Sequence, residues 1–197
     1  MRRVDDEVPD IVVFPGVYPP SEDTYLLLDS LDIQQEDSFL EVGCGTGFIT
    51  INVAKKTHSV VCIDISLDAV KNTFENLKRN NLSIRGHIIQ SDLLEALSPS
   101  VKFSLIVFNP PYLPEDQYVT ELDHSFVGGK TGIELTTRFI NQAVEHLTEK
   151  GRIYVVVSNL ANTDSIQRKM IDCGLDVELI SEESMFFEKI HVLKGTL

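Results

Sequence analysis

The sequence predicts an α/β fold in which a mostly parallel sheet carries helices on both faces. Three observations lead there. Strand-like and amphipathic helical segments alternate from residue 38 to residue 173. Residues 60–63 and 154–157 are near-continuous apolar runs, the pattern of strands buried on both sides. The residues that follow successive strands are polar or glycine: a glycine turn after the first, then Asp64, Asp92 and Asn109. All four features fall at the carboxyl edge, where open α/β sheets hold their ligands.

Taken in order, an extended stretch at 9–14 precedes a helix for which Ser21 is a suitable N-cap. Glu22 and Asp23 fall in its first turn, where acids complement the helix dipole, and 25–31 continue it. A strand at 38–42 leads through glycines into a helix at 48–56. A strand at 60–63 ends in Asp64. The helix at 67–80 places Val70, Phe74 and Leu77 on one face. A strand at 84–89 leads to Asp92, and a strand at 103–108 runs into Asn109-Pro110-Pro111-Tyr112. The polar stretch that follows, about twenty residues, exceeds the usual connection and favours a functional or lid role. A helix at 133–147, a strand at 152–157 and a helix at 164–173 come next. Strands at 175–180 and 188–193 close the chain as a hairpin. No repeat or linker interrupts this order, so residues 1–197 read as one domain, large enough to bury a core.

The net charge of −13 gives a poor footprint for duplex DNA or RNA, where neutralising phosphates supplies most non-specific affinity. Stable nucleic-acid binding is therefore not expected; an acidic chain suits a basic protein partner better, although solubility alone also explains the charge. Met1-Arg2-Arg3 is followed by acids and not by an apolar run, and no segment is long enough to span a membrane. Cys44, Cys62 and Cys173 are odd in number and far apart, and read as reduced thiols of a cytoplasmic protein. The scattered histidines and the lack of Cys-x-x-Cys predict no metal site.

Asn109-Pro110-Pro111-Tyr112 carries the chemistry. Two prolines fix φ and remove two backbone donors, so the stretch cannot continue a sheet ladder. The carbonyls of Asn109 and Pro110 are left to accept, the Asn109 side chain adds an acceptor, and Tyr112 adds a flat face and a hydroxyl. A planar nitrogen with two N–H groups fits such a site, though the tetrapeptide alone reads equally as a turn. Glu41-Val42-Gly43-Cys44-Gly45-Thr46-Gly47 differs from a dinucleotide fingerprint, because its third glycine comes one residue early. Glu41 could accept a hydrogen bond from an α-ammonium group, which a dinucleotide lacks. A carboxylate at Asp64, beside Ile65, could accept two ribose hydroxyls, or could cap the helix near Leu67. Asp92, with the Leu93 backbone beside it, suits an adenine amino group, or is a solvated loop acid.

Glu41 to Gly47 with Asp64, Asp92 and Asn109 to Tyr112 resemble an amino- or amide-directed class I methyltransferase. Val17-Tyr18-Pro19-Pro20-Ser21-Glu22-Asp23-Thr24-Tyr25, Gly128-Gly129-Lys130-Thr131-Gly132-Ile133-Glu134 and Arg138-Phe139 narrow this to the HemK family of glutamine methyltransferases, in its short archaeal and eukaryotic branch. The resemblance implies a Rossmann-like class I fold dependent on S-adenosyl-L-methionine, with seven strands, an antiparallel C-terminal hairpin, and an N-terminal extension of about 1–34 covering the cofactor. It implies Thr24, Glu41, Gly43, Cys44, Gly45, Gly47, Asp64, Ile65, Asp92, Leu93 and Asn109 around the cofactor. Asn109, Pro110, Pro111 and Tyr112 would hold the substrate amide, with Gly128, Gly129 and Glu134 on the substrate side. The implied substrate is the Gly-Gly-Gln glutamine of a class I release factor. A small zinc-binding activator subunit is implied for eukaryotic members. Methylation of adenine in nucleic acid, methylation of protein lysine and a purely cofactor-binding role stand as alternatives.

Overall fold

The computed structural model describes residues 8–111, 133–184 and 188–197. Its strands are β1 (Phe39–Val42), β2 (Val60–Asp64), β3 (Gly86–Gln90), β4 (Phe103–Phe108), β5 (Leu147–Ser158), β6 (Asp176–Ser184) and β7 (Lys189–Thr196). They form one sheet in the order β3-β2-β1-β4-β5-β7-β6. The first five are mutually parallel, and β7 runs antiparallel between β5 and β6. The helices are α1 (Glu22–Ser30), α2 (Phe48–Ala54), α3 (Leu67–Arg79), α4 (Glu134–Glu145) and α5 (Thr163–Asp172). Among the described residues no helix is long and apolar enough to cross a membrane.

Strand alternation sorts the core into two layers. Leu105 and Val107 of β4, with Tyr154 and Val156 of β5, face Leu27, Ile51 and Leu77 from α1, α2 and α3. Ile106 and Phe108, with Ile153 and Val155, face Phe139, Ile140 and Met170 from α4 and α5. The chain builds outward from β1 to β3, then returns to lay β4 on the other side of β1. That reversal is the topological switch, and it opens a crevice at the carboxyl ends of β1 and β4.

Several boundaries move from the sequence expectation. β3 begins at Gly86 and not at residue 84, because Arg85 donates its N–H to the Leu82 carbonyl in a turn. Leu147 starts β5 instead of ending α4, pairing with Phe103 ahead of a register shift.

The face of α3 is a clearer correction. Leu77 is buried, but Phe74 is 55% exposed. The inner face instead carries Asn72, Thr73 and Asn76, all fully buried. Asn72, Asn76 and Asn80 lie one helical turn apart and grip the extended N-terminal stretch. Phe14, Val12 and Asp10 donate their N–H groups to the three side-chain carbonyls at 2.7, 2.9 and 3.0 Å. The amides of Asn72 and Asn76 return bonds to the Val12 carbonyl, and Asn80 to that of Asp10, each at 2.8 Å. Geometry permits this because four helical residues rise about 6 Å, and two strand residues about 6.6 Å. The ladder gives the stretch the hydrogen bonds that a sheet would otherwise supply.

Asn76 also bonds the Thr46 carbonyl at 2.9 Å, so it ties the N-terminal stretch to the glycine turn. Asn76→Ala strands these buried groups and should cost about 2–3 kcal/mol, whereas Asn80→Ala at the exposed end should cost under about 1 kcal/mol. Urea unfolding measures both, and equal losses at the two positions contradict the ladder.

Candidate active site

A cavity of about 520 Å³ opens at the switch point, within the roughly 300–1,000 Å³ usual for small-molecule sites. Its floor is the glycine turn after β1. Gly43 has φ +69°, and a Cβ there would come 3.2 Å from the Phe108 ring. The Cys44 N–H donates to the Ile63 carbonyl at 3.1 Å, which anchors the turn to β2.

Glu41 sits at the end of β1, 4% exposed. One of its oxygens receives both the N–H of Thr50, at 2.8 Å, and the Thr50 hydroxyl. Burial pushes its carboxyl up to about 8; the Thr50 bonds pull the other way, and the Asp64 charge adds to the rise. Asp64, closing β2, receives the N–H groups of Gly45 and Ser66, each at 2.9 Å. Burial raises its carboxyl as well, against the pull of those amides. The cap of α3 is Ser66, whose hydroxyl accepts from Ala69 N–H at 3.3 Å.

After β3, the Asp92 carboxyl pairs with Arg138 of α4 at 2.9 Å. After β4, Asn109 holds the feature of most consequence: its side-chain carbonyl oxygen is buried and has no hydrogen-bond partner among the described residues. Buried acceptors of this kind are rare in native proteins and ask for a donor.

The N-terminal stretch closes the opposite wall. The Tyr18 carbonyl lies over Gly45, 3.8 Å from where a Cβ would stand. The Tyr18 hydroxyl contacts both Asp23 oxygens at 3.2 Å, and burial, then the Asp23 charge, raises the phenol far above its ordinary value. Thr24 accepts from Ser21 N–H at 3.3 Å and donates its hydroxyl to Asp23 at 3.1 Å.

The fold therefore brings Thr24, Glu41, Gly43, Cys44, Gly45, Asp64, Ile65, Asp92, Leu93, Asn109, Pro110 and Pro111 onto the lining of one cavity. Gly47 is not on it. With φ +77°, its Cα packs against α3, where a Cβ would meet Thr73 at 2.8 Å. Glu134 is exposed at the start of α4, off the cavity wall. Tyr112, Gly128 and Gly129 lie outside the described residues. The sequence reading gave no place at the site to Tyr18, Asp23, Arg138 or Phe108, which also line the cavity. Tyr18, Asp23 and Arg138 stand inside the motifs that carry the family resemblance, but no local signal shows where they point.

Residues 15–186 match the family described as Methyltransferase small domain. A Methanocaldococcus jannaschii protein named for protein N5-glutamine methylation is 39% identical over 186 residues, covering 92% of each chain. The Mus musculus protein named Methyltransferase HEMK2 is 33% identical, over 82% of this chain and 81% of its own. The E. cuniculi Mtq2–Trm112 complex is described as responsible for methylation of the eRF1 translation termination factor. A chain from it superposes with TM-score 0.69 at 26% identity, over 92% of this chain and 98% of that one.

The raised carboxyl of Glu41 predicts a pH dependence. Folded, it keeps its proton to about pH 8; unfolded, it loses it in the ordinary carboxyl range. Its contribution to stability is thus fully present below that range and is lost as pH rises towards 8. Glu41→Gln stays neutral, so its melting temperature should gain on the wild type's between about pH 5 and pH 8. Parallel melting curves across that window contradict the assignment.

Proposed function

We propose that this chain, which belongs to the methyltransferase small-domain family and within it to the HemK glutamine methyltransferases, methylates a side-chain amide. The amide is that of the glutamine in the Gly-Gly-Gln loop of a class I translation release factor, and the donor is S-adenosylmethionine. The observation that carries the reading is the buried, unpartnered carbonyl of Asn109. It stands at the end of β4 in the cavity that Glu41, Asp64 and Asp92 also line. The glutamine acceptor is supported by the name of the M. jannaschii protein, and the release-factor substrate by the description of the E. cuniculi complex.

The residues present fit the cofactor. Asp64 would take the ribose hydroxyls, Glu41 the α-ammonium group, and Asp92 with Leu93 the adenine, while Gly43 and Gly45 present backbone without a side chain to the cavity. Bound there, S-adenosylmethionine supplies an electrophilic methyl group on a positively charged sulfur.

What the protein adds is acceptor geometry. An amide nitrogen is a poor nucleophile because its lone pair is delocalised into the carbonyl. The Asn109 side chain would accept one amide hydrogen, and the Pro110 carbonyl the other. Together they draw electron density back to nitrogen and orient its lone pair into the cavity. Holding the nitrogen in place supplies the rest of the acceleration. Tyr112 would pack on the amide plane. The N-terminal extension, about residues 1–34, would cover the cofactor. A small partner subunit, zinc-binding as the family resemblance implies, belongs to the same proposal and is supported by the Mtq2–Trm112 complex. A cytoplasmic location follows from a substrate that works on the ribosome.

The test is transfer of labelled methyl from S-adenosylmethionine to a purified class I release factor, with and without a candidate partner subunit. A Gly-Gly-Asn variant of the factor and DNA run beside it. Label should enter the wild-type factor alone; label in DNA alone overturns the proposal. Asn109→Ala should slow transfer by about 10²–10³-fold while leaving cofactor affinity nearly intact. A loss of affinity as large as that of Asp64→Ala would remove Asn109 from the acceptor role.

A further inference from the structure

The turn that follows β3 is held in an unfavourable shape. Leu93 has φ +48°, in the left-handed region that bulky side chains rarely adopt. The turn is closed by a hydrogen bond from Glu95 N–H to the Asp92 carbonyl at 3.2 Å. Conformations of this kind persist when surrounding contacts over-determine them, and they gather at ligand sites.

Here the contacts come from α4. Arg138 donates one nitrogen to Asp92 Oδ2 at 2.9 Å and to Glu95 Oε1 at 3.3 Å, bridging the first and last residues of the turn. One helical turn later, Gln142 Oε1 accepts the N–H of Leu94 at 2.9 Å. Two side chains at i and i+4 on one helix therefore hold three of the four residues of the turn. Leu94 is buried beneath it, and Leu93 and Arg138 both line the cavity. Arg138 uses a single oxygen of Asp92.

We propose that Arg138, backed by Gln142, is the positioning residue that sets Asp92 to recognise the amino group of adenine. The inference rests on the cofactor reading above. In water the Asp92 side chain has several rotamers, and the Leu93 backbone would relax out of the left-handed region. The bridge to Glu95 fixes both, so one carboxylate oxygen is presented at a constant place. A carboxylate accepts an amino N–H and repels a carbonyl oxygen, so a fixed Asp92 distinguishes adenine from hypoxanthine. A mobile Asp92 swings away from either ring and distinguishes them poorly. The ion pair is half-exposed and contributes little to folding, so its effect falls on selectivity.

The experiment is calorimetric binding of S-adenosylhomocysteine and of its hypoxanthine counterpart, S-inosylhomocysteine. The purified chain, Arg138→Gln and Arg138→Lys are compared, with melting temperatures as a control. The wild type should prefer the adenine form by at least about tenfold, the range of a hydrogen bond to a charged group. In Arg138→Gln that preference should fall several-fold, through weaker binding of the adenine form alone. Arg138→Lys keeps the charge but carries it on a shorter, more flexible stem as a compact ammonium, and should lie between. Equal weakening of both compounds, or an unchanged preference in both variants, overturns the inference. A wild type that binds both compounds equally also overturns it, and leaves the methyl-transfer reading standing. A wild type that binds neither overturns the cofactor reading together with it.

Discussion

The confinement of β1 organises this protein. Its four residues pair with β2 on one side and β4 on the other, and all are buried. A strand enclosed in this way can leave the sheet only over its carboxyl edge. Sheets covered by helices on both faces leave little room there, so the chain turns at once, through Gly43 with φ +69°. The side chain of Glu41, beside the turn, is carried into the interior, where Thr50 donates to it from both its backbone and its hydroxyl. Crevice, glycine floor and buried acid thus share one cause. Because the chain returns to lay β4 beside β1, Asn109 comes to the same crevice.

The crevice gathers three departures from the usual rules of a folded interior. Glu41 is a carboxyl whose burial holds its proton to about pH 8. The Asn109 carbonyl is buried without a partner among the described residues. Leu93 is held in the left-handed region. Each of these departures costs stability, and the first two would be relieved by a ligand: a cation at Glu41 and a donor at Asn109. That three such features line one cavity is the signature of a site organised around something it binds.

The N-terminal stretch shows a different economy. It pairs with no strand among the described residues, yet its backbone groups at Asp10, Val12 and Phe14 are satisfied by asparagines on a helix. The same ladder reaches Thr46 in the glycine turn, and the stretch continues through Gly16 and Tyr18 over the cavity. The far wall of the site is therefore fastened by α3, while the turn after β3 is fastened by α4. Elements on opposite faces of the sheet each hold one part of the crevice.

The sequence by itself determined the alternation of strands and helices, the glycine turn, and the polar residues that close successive strands. Those features rest on local physics: apolar period, the freedom of glycine, and the inability of proline to continue a ladder. Asp64, Asp92 and Asn109 were legible because residues at strand ends in a parallel sheet share one edge, whichever strand neighbours which. Tertiary structure alone decided what each side chain meets. The period of α3 suggested a face through Phe74, yet the buried face lies about 100° round the helix, one residue away, and is polar. A hydrophobic pattern cannot announce that a helix is to grip a backbone. Arg138 reaches Asp92 across 46 residues of chain, and Gly47, part of the glycine motif, packs on Thr73 and not on the cavity. These pairings depend on strand order and on which face each helix covers, and neither is encoded within any one segment.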